Sequence, residues 1–258
     1  MKNQTNPSNQ LLAQADLLLL LADMFRSPVE ARSRLADLIR DDLRGMVEAT
    51  GLPEGTMLLQ AIETTWDEFQ SVPSEAWSDE YHRLFEGAMV CPLNETAYIR
   101  RDKGAILGDL AGYYRAFGWS PATDTGEKLD HLITELEFAA VLFVMQANAV
   151  QDAAAVTADA LASFASDHLS DWMAAVCQQL QTCTRSPFYR SVEASLRLTW
   201  QAMLAVHRWP VTASVAVPFM PEADTECLCN CGAEPNWPET GQQRALGDAG
   251  MGISSRAI

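Results

Sequence analysis

The sequence predicts an all-α protein: a single multi-helix bundle over residues 1–210, followed by an irregular tail over residues 211–258. Three observations predict it. Apolar side chains recur at three- and four-residue steps through the first 210 residues, sustained period-two alternation is absent there, and capping residues stand where successive apolar stripes begin and end. After Trp209 and Pro210 the composition changes. Pro218, Pro221, Pro235 and Pro238 break the chain, and the stretch 241–252 reads as flexible.

The first helix opens at Pro7 and Ser8, sets Leu11, Leu12, Ala15, Leu18, Leu19, Ala22 and Phe25 on one face, and stops near Ser27. Ser27, Pro28 and Glu30 form a capping box with proline at the first helical position, so a second helix starts at once and carries Leu35, Leu38 and Ile39 inward. The third buries Leu58, Leu59, Ile62, Trp66 and Phe69 and ends before Pro73. A short fourth helix, from about Ser78 to Glu86, shows Tyr81, Leu84 and Phe85 together and meets Gly87, a residue suited to a left-handed stop. The stretch 87–101 has no periodicity and reads as an ordered loop holding Cys91, Pro92, Asn94, Glu95 and Tyr98.

The next helix runs from about Asp102 to Phe117 and closes at Gly118. Gly104, Gly108 and Gly112 fall on one face of it. Each interior glycine costs about 1 kcal/mol relative to alanine, so the stripe suggests a seam where another backbone approaches closely. Asp102, Lys103, Asp109 and Arg115 exclude a membrane span. The most regular helix spans about Glu127 to Asn148, through Leu129, Leu132, Ile133, Leu136, Ala140, Phe143, Val144 and Ala147. After an alanine-rich segment, one helix carries Leu169, Trp172, Met173, Val176 and Leu180, and the last carries Phe188, Val192, Leu196, Trp200, Met203 and Leu204. Nine or so helices result.

Of 258 residues, 48% are hydrophobic, enough for one full-sized core without a staple. Eighteen Lys and Arg against thirty-four Asp and Glu give a formal charge of -16. That field repels phosphate backbones and anionic membranes, and attracts a basic peptide or protein surface. The apolar run from Leu17 to Ala22 is bracketed by Asp16 and Asp23 and is too short for a span, so neither an export signal nor an anchor is expected there. A cytoplasmic setting follows, with reduced thiols. Cys91, Cys177 and Cys183 are dispersed as small hydrophobes, whereas Cys227, Cys229 and Cys231 cluster in the tail. Those three are weak candidates for a metal, because a closed structural site wants four ligands and the fourth is not evident.

Phosphate-loop, dinucleotide-binding, nucleophile-elbow and paired-histidine zinc signatures are all absent from the sequence, which lowers the case for an enzyme. The most suggestive ionisable pair is Asp130 and His131, read as the first turn of the regular helix, with Glu135 one turn beyond. A carboxylate suits the positive helix end, and Glu135 could orient the imidazole. Helix capping and a surface ion pair account for the same residues.

Three stretches carry a resemblance. Residues 81–87, Tyr-His-Arg-Leu-Phe-Glu-Gly, followed by Pro92, Glu95 and Tyr98, resemble the Tyr-x-x-Leu-Phe-x-Gly region of TorD/DmsD/NarJ-type maturation chaperones. Asp130, His131, Glu135, Leu136 and Phe138 are similar to that family's Asp-His-x-x-x-Glu-Leu-x-Phe pattern, and His168, Leu169 and Trp172 with Pro187, Phe188 and Tyr189 supply a third match. Leu93 departs from the aromatic some relatives carry, Thr96 from their serine, and the cysteine tail is not shared. The resemblance implies a cytoplasmic, non-enzymatic assembly chaperone without a cofactor of its own. Such a chaperone binds the catalytic subunit of a molybdopterin oxidoreductase, through its twin-arginine signal or N-terminal region, and assists cofactor insertion before export. By motif position the client-peptide surface comprises Tyr81, Leu84, Phe85, Pro92, Glu95, Tyr98, Asp130, His131 and Glu135. Asp79, Glu80, Glu86, Asp124 and Glu127 are carboxylates flanking it. The implied state is a monomer or a domain-swapped dimer. The competing reading is a nucleotide-binding protein or a metal-binding accessory protein acting through the cysteine tail.

Overall fold

A computed structural model of the protein describes residues 6–121 and 128–210. All the described residues belong to one compact unit. Cys227, Cys229 and Cys231 of the tail, and the carboxylates Asp124 and Glu127, lie outside the described residues.

The described residues are helical with no strand among them; one isolated antiparallel bridge joins Asn94 and His131. Helix α1 (Pro7–Met24) opens as the sequence predicts, with Asn6 as its cap accepting from the Ser8 N–H at 3.1 Å. Helix α2 (Pro28–Arg34) follows at once, and the Ser27 hydroxyl accepts from the Glu30 N–H. It ends sooner than its apolar residues suggest. Leu35 is buried, but Leu38 is only half-buried and Ile39 is exposed, because Ile39 caps a further helix, α3 (Arg40–Ala49), that the periodicity does not single out.

Helix α4 (Gly55–Ser71) buries Leu58, Ile62, Trp66 and Phe69 as expected, and α5 (Ser74–Tyr81) runs into a π-helical turn at His82–Glu86. Gly87 then departs from the left-handed stop: its φ is -68°. A Cβ there would stand 2.8 Å from the His82 ring, an exposed side chain that can move aside, so neither backbone angle nor space demands glycine. After the loop, α6 (Lys103–Ala116) is capped by Asp102 and closed by Gly118 at φ +62°. The glycine seam does not form. Gly108 and Gly112 have open space where a Cβ would sit, and Gly104 would meet only the Asp102 carboxylate, so among the described residues no other backbone lies on that face.

Helix α7 (Leu132–Asn148) begins later than the periodicity suggests, with His131 as its cap and Asp130 outside the helix. Helix α8 (Gln151–Phe164) continues through a second π-helical turn at Ala165–Leu169 into α9 (Ser170–Cys183), and α10 (Pro187–His207) completes the bundle. Helix α1 packs chiefly on α7, and α10 on α4 and α9. Pairing α4 with α10 buries a hydroxyl pair, Thr65 and Ser195, at 2.8 Å.

Between α4, α5 and α10 lies an aromatic nest of Trp66, Phe69, Trp77, Phe188 and Tyr189, with the Arg32 guanidinium 5.1 Å over Trp77. Inside it the Trp77 indole N–H donates to the Tyr189 hydroxyl at 2.9 Å, both residues fully buried. Tyr189→Phe removes the acceptor and strands that N–H, so an expected loss of about 1–3 kcal/mol should appear as a lower urea midpoint. An unchanged midpoint would show that the junction carries no stability.

Candidate functional site

The residues singled out by motif converge on one end of the bundle, where the loop 87–101 crosses the start of α7. They separate there into a buried layer and a surface layer. Leu84, Glu95, Tyr98, Asp130 and Glu135 are buried, all three carboxyl groups completely. Tyr81, Phe85, Pro92 and His131 are half-buried.

The loop has no regular ladder, so its polar groups are satisfied individually. Asp130 does most of this work. Its carboxylate accepts from Asn94 Nδ2 at 3.1 Å, from the Thr96 N–H at 3.3 Å and from the Thr96 hydroxyl at 2.6 Å, while its own carbonyl accepts from the Glu95 N–H at 2.9 Å. The Leu132 N–H donates to the Leu93 carbonyl at 2.8 Å, and the Tyr98 hydroxyl donates to the Pro92 carbonyl at 2.9 Å. Farther along, Gln179 Nε2 donates to the Val90 carbonyl at 2.7 Å, which ties the loop to α9. Cys91 is packed beneath it, and burial pushes its thiol up to about 12, so it behaves as a hydrophobe and not as a nucleophile.

His131 caps α7, its Nδ1 accepting from the Ile133 N–H at 3.4 Å. Burial lowers its pKa to about 4, with Asp130 opposing the shift and Arg26 and Lys128 adding to it. The pairing of His131 with Glu135 suggested by their four-residue spacing does not form, because Glu135 turns into the core and accepts from the Trp172 indole N–H at 3.1 Å. There it meets Glu95, whose other partner is His168 Nδ1 at 2.9 Å, and Tyr98 stacks on Trp172 with ring centroids 5.6 Å apart.

The surface layer is aromatic. Phe85 meets Tyr81 at 5.4 Å, Tyr189 at 5.2 Å and Phe25 at 6.1 Å, all edge-on, and Met89, at a positive φ, is 51% exposed beyond it. Next to Phe25, the buried Arg26 bridges Asp23, Glu30 and Glu137 and so joins α1, α2 and α7 beneath the same face. Of the flanking carboxylates, Asp79 and Glu86 are exposed, Glu86 lying 3.1 Å from His82. Glu80 is not available to a ligand. Burial raises its carboxyl, but Arg83, the Arg185 N–H and Thr184 outweigh that and hold it below the usual value.

Residue pattern alone missed Arg26, Asn94 and Trp172 as parts of this site. Arg26 left one signal, a lone cation after Met24 and Phe25 at the end of an apolar helix. Among the described residues no group of three or more His, Cys, Asp and Glu is arranged to hold a metal, and no helix is long and apolar enough to cross a membrane. An open groove of about 220 Å³ lies elsewhere, between α9 and α10, lined by Met173, Cys177, Trp200 and Leu204.

A family model described as the nitrate reductase delta subunit matches residues 49–178, the span that contains both π-turns, the loop, Asp130, His131 and Trp172. The chain belongs to the nitrate reductase delta subunit family. This is the NarJ/TorD-type family of molybdoenzyme maturation chaperones. Comparison with curated proteins gives no match. For this delta-family chain, α1 with the turn after it and α10 fall outside the matched span, yet that turn supplies Phe25 and Arg26, and α10 supplies Tyr189, behind the aromatic face.

Two outcomes follow. Asp130→Ala leaves Asn94 and Thr96 without their acceptor, so a loss of about 2–4 kcal/mol in urea unfolding is expected, with faster amide exchange at residues 94–98. The second concerns acid. An unfolded His131 takes up a proton near its ordinary 6.5 whereas the folded one resists until about 4, so its contribution is intact above 6.5 and erodes as pH falls through that window. His131→Asn retains a capping side chain and should flatten the fall in urea midpoint between pH 6.5 and 4; an equally steep fall would assign the acid sensitivity to other groups.

Proposed function

We propose that this chain is a cytoplasmic, non-enzymatic assembly chaperone. It binds the catalytic subunit of a molybdopterin oxidoreductase through that subunit's N-terminal region, a twin-arginine signal where one is present, and supports cofactor insertion before export. The observation that carries the reading is the family match over residues 49–178, which spans the segments on which the site is built.

The chemistry of the surface supports it. A twin-arginine signal presents a basic start and an apolar middle, so its receptor needs carboxylates beside an apolar wall. Tyr81 and Phe85, in edge-on contact, supply the wall, Met89, Pro92 and His131 are the further accessible apolar and aromatic groups of the segments involved, and Asp79 and Glu86 are exposed carboxylates. Leu84, Glu95, Tyr98, Asp130 and Glu135 act from behind: they hold the loop and the α7 start in register and make no contact with the guest. A formal charge of -16 raises the encounter rate with a basic peptide and disfavours nucleic acid and anionic membranes.

Calorimetry with a synthetic peptide covering the N-terminal region of the partner catalytic subunit tests this. Phe85→Leu trims the wall while keeping a large apolar side chain in the core, and a loss of affinity on the order of tenfold is expected. Paired reversal of Asp79 and Glu86 to Lys, both on the surface, should slow association and weaken its salt dependence. Wild-type affinity and rates in both variants would move the client site off this face.

A further inference from the structure

Two carboxyl groups sit together in the core without a counter-charge each. Glu95 comes from the loop and Glu135 from α7, and both are fully buried. Glu95 Oε2 is bonded to His168 Nδ1 at 2.9 Å, and Glu135 Oε2 accepts from the Trp172 indole N–H at 3.1 Å. The remaining oxygens, Glu95 Oε1 and Glu135 Oε1, are buried and have no donor, although the two side chains are within hydrogen-bonding reach of each other. A buried carboxylate oxygen without a donor is costly, and two adjacent ones as anions are costlier. One proton between the two oxygens satisfies both at once.

We propose that Glu95 and Glu135 share one proton, and that this proton, with the His168 contact, latches the loop 87–101 onto α7 and the second π-turn, so that its loss to solvent loosens the loop. The latch joins elements distant in sequence: Glu95 on the loop, Glu135 on α7 and His168 on the turn at Ala165–Leu169.

Apart from His168, whose one contact serves Glu95 and not Glu135, the surroundings offer the pair little neutralising charge. On the loop side Tyr98 and Cys91 are neutral and buried, with Cys177 and Cys183 from α9 behind them. Asp130, just before α7, adds a negative charge already committed to Asn94 and Thr96. From α6, the Tyr114 hydroxyl donates to the Leu129 carbonyl, Tyr113 stacks edge-on against His168, and Asp109 Oδ2 stands 4.0 Å from His168 Nε2, a buried nitrogen without a hydrogen-bond partner. Arg101 at the loop's end pairs with Asp109 at the exposed rim, 3.7 Å away, and only weakly offsets the charge on Glu95.

Burial, then the neighbouring carboxylate, raises Glu135 well above the usual 4.5, and burial raises Glu95 against the opposing pull of His168. The sign follows. A raised folded pKa contributes stability that is fully present below about 4.5 and is lost as pH climbs through the raised value. Opening of the loop therefore becomes easier towards alkaline pH, by up to tenfold per pH unit for the one proton released. That the release governs capture of a client rests on the function proposed above; the release itself does not.

Hydrogen exchange of peptides spanning residues 87–101, followed by mass spectrometry on the full chain, tests the latch without any client. Glu135→Gln is the reference, since its amide can donate to Glu95 Oε1 while its carbonyl accepts from Trp172 at every pH. Dividing the wild-type rate by the variant rate at each pH removes the intrinsic chemistry of exchange. The expected ratio is near one at pH 5 and rises at least tenfold by pH 9. A ratio that stays flat overturns the proposal. Should Glu135→Gln fail to fold, infrared spectroscopy of the wild type decides. A buried protonated carboxyl band at neutral pH that disappears as loop exchange accelerates supports the shared proton, and absence of that band ends it. A positive exchange result with no client binding would refute the proposed function and leave the latch standing.

Discussion

The loop 87–101 is the irregular segment on which the site depends, and its backbone and side-chain polar groups have to find partners one at a time. Asp130 is the anchor of that arrangement. Standing just before α7 and not within it, the carboxylate reaches back to Asn94 and Thr96, while its carbonyl takes the Glu95 N–H. Buried charge is tolerated there because every bond it accepts is charge-assisted. Once Asp130 fixes the loop, Asn94 bridges His131 and the Leu93 carbonyl takes the Leu132 N–H, so the loop is seated on the start of α7. Glu95 is then delivered into the core beside Glu135.

Both π-helical turns flank this arrangement, and each changes the direction of side chains where a continuous α-helix would not. At His82–Glu86 the wider turn lets Leu84 point inward and Phe85 lie along the surface against Phe25, Tyr81 and Tyr189. At Ala165–Leu169 it places the His168 ring in the core against Glu95, among Tyr113 and Phe164. An aromatic face and a polar cluster behind it thus share one scaffold, braced by Arg26 just after α1 and by Tyr189 of α10.

Much of the bundle was legible in the residues, because helix starts carry chemistry that names itself. Ser27 with Pro28 and Glu30 marks the start of α2 by a hydroxyl that satisfies a free N–H, Pro7 and Ser8 mark that of α1, and Asp102 stands where α6 begins. Helix α3 escaped notice because its mainly polar sequence buries little besides Leu43 and Val47 and its cap is Ile39, which has no side-chain acceptor. The glycine stripe of α6 misled for a related reason: close approach needs a partner surface, and spacing cannot say whether one is present. Motif spacing located the site but not its layers. Asp130, His131 and Glu135 look like one helical face in sequence. The helix starts only after His131, so Asp130 serves the loop, His131 the cap and Glu135 the core. Tertiary partners such as Asn94, His168 and Trp172 set those roles; the third motif match names His168 and Trp172, but spacing does not say what they bond.

The account stands on the claim that a guest polypeptide lies across Tyr81, Phe85, Pro92 and His131 at the mouth of the loop. Amide exchange of the full chain with and without the partner catalytic subunit tests it most directly. The account expects new protection concentrated in residues 81–98 and 128–137, with α4 and the α9–α10 groove unchanged. Protection confined to that groove, leaving the loop and the α7 start as they are in the free protein, would contradict it.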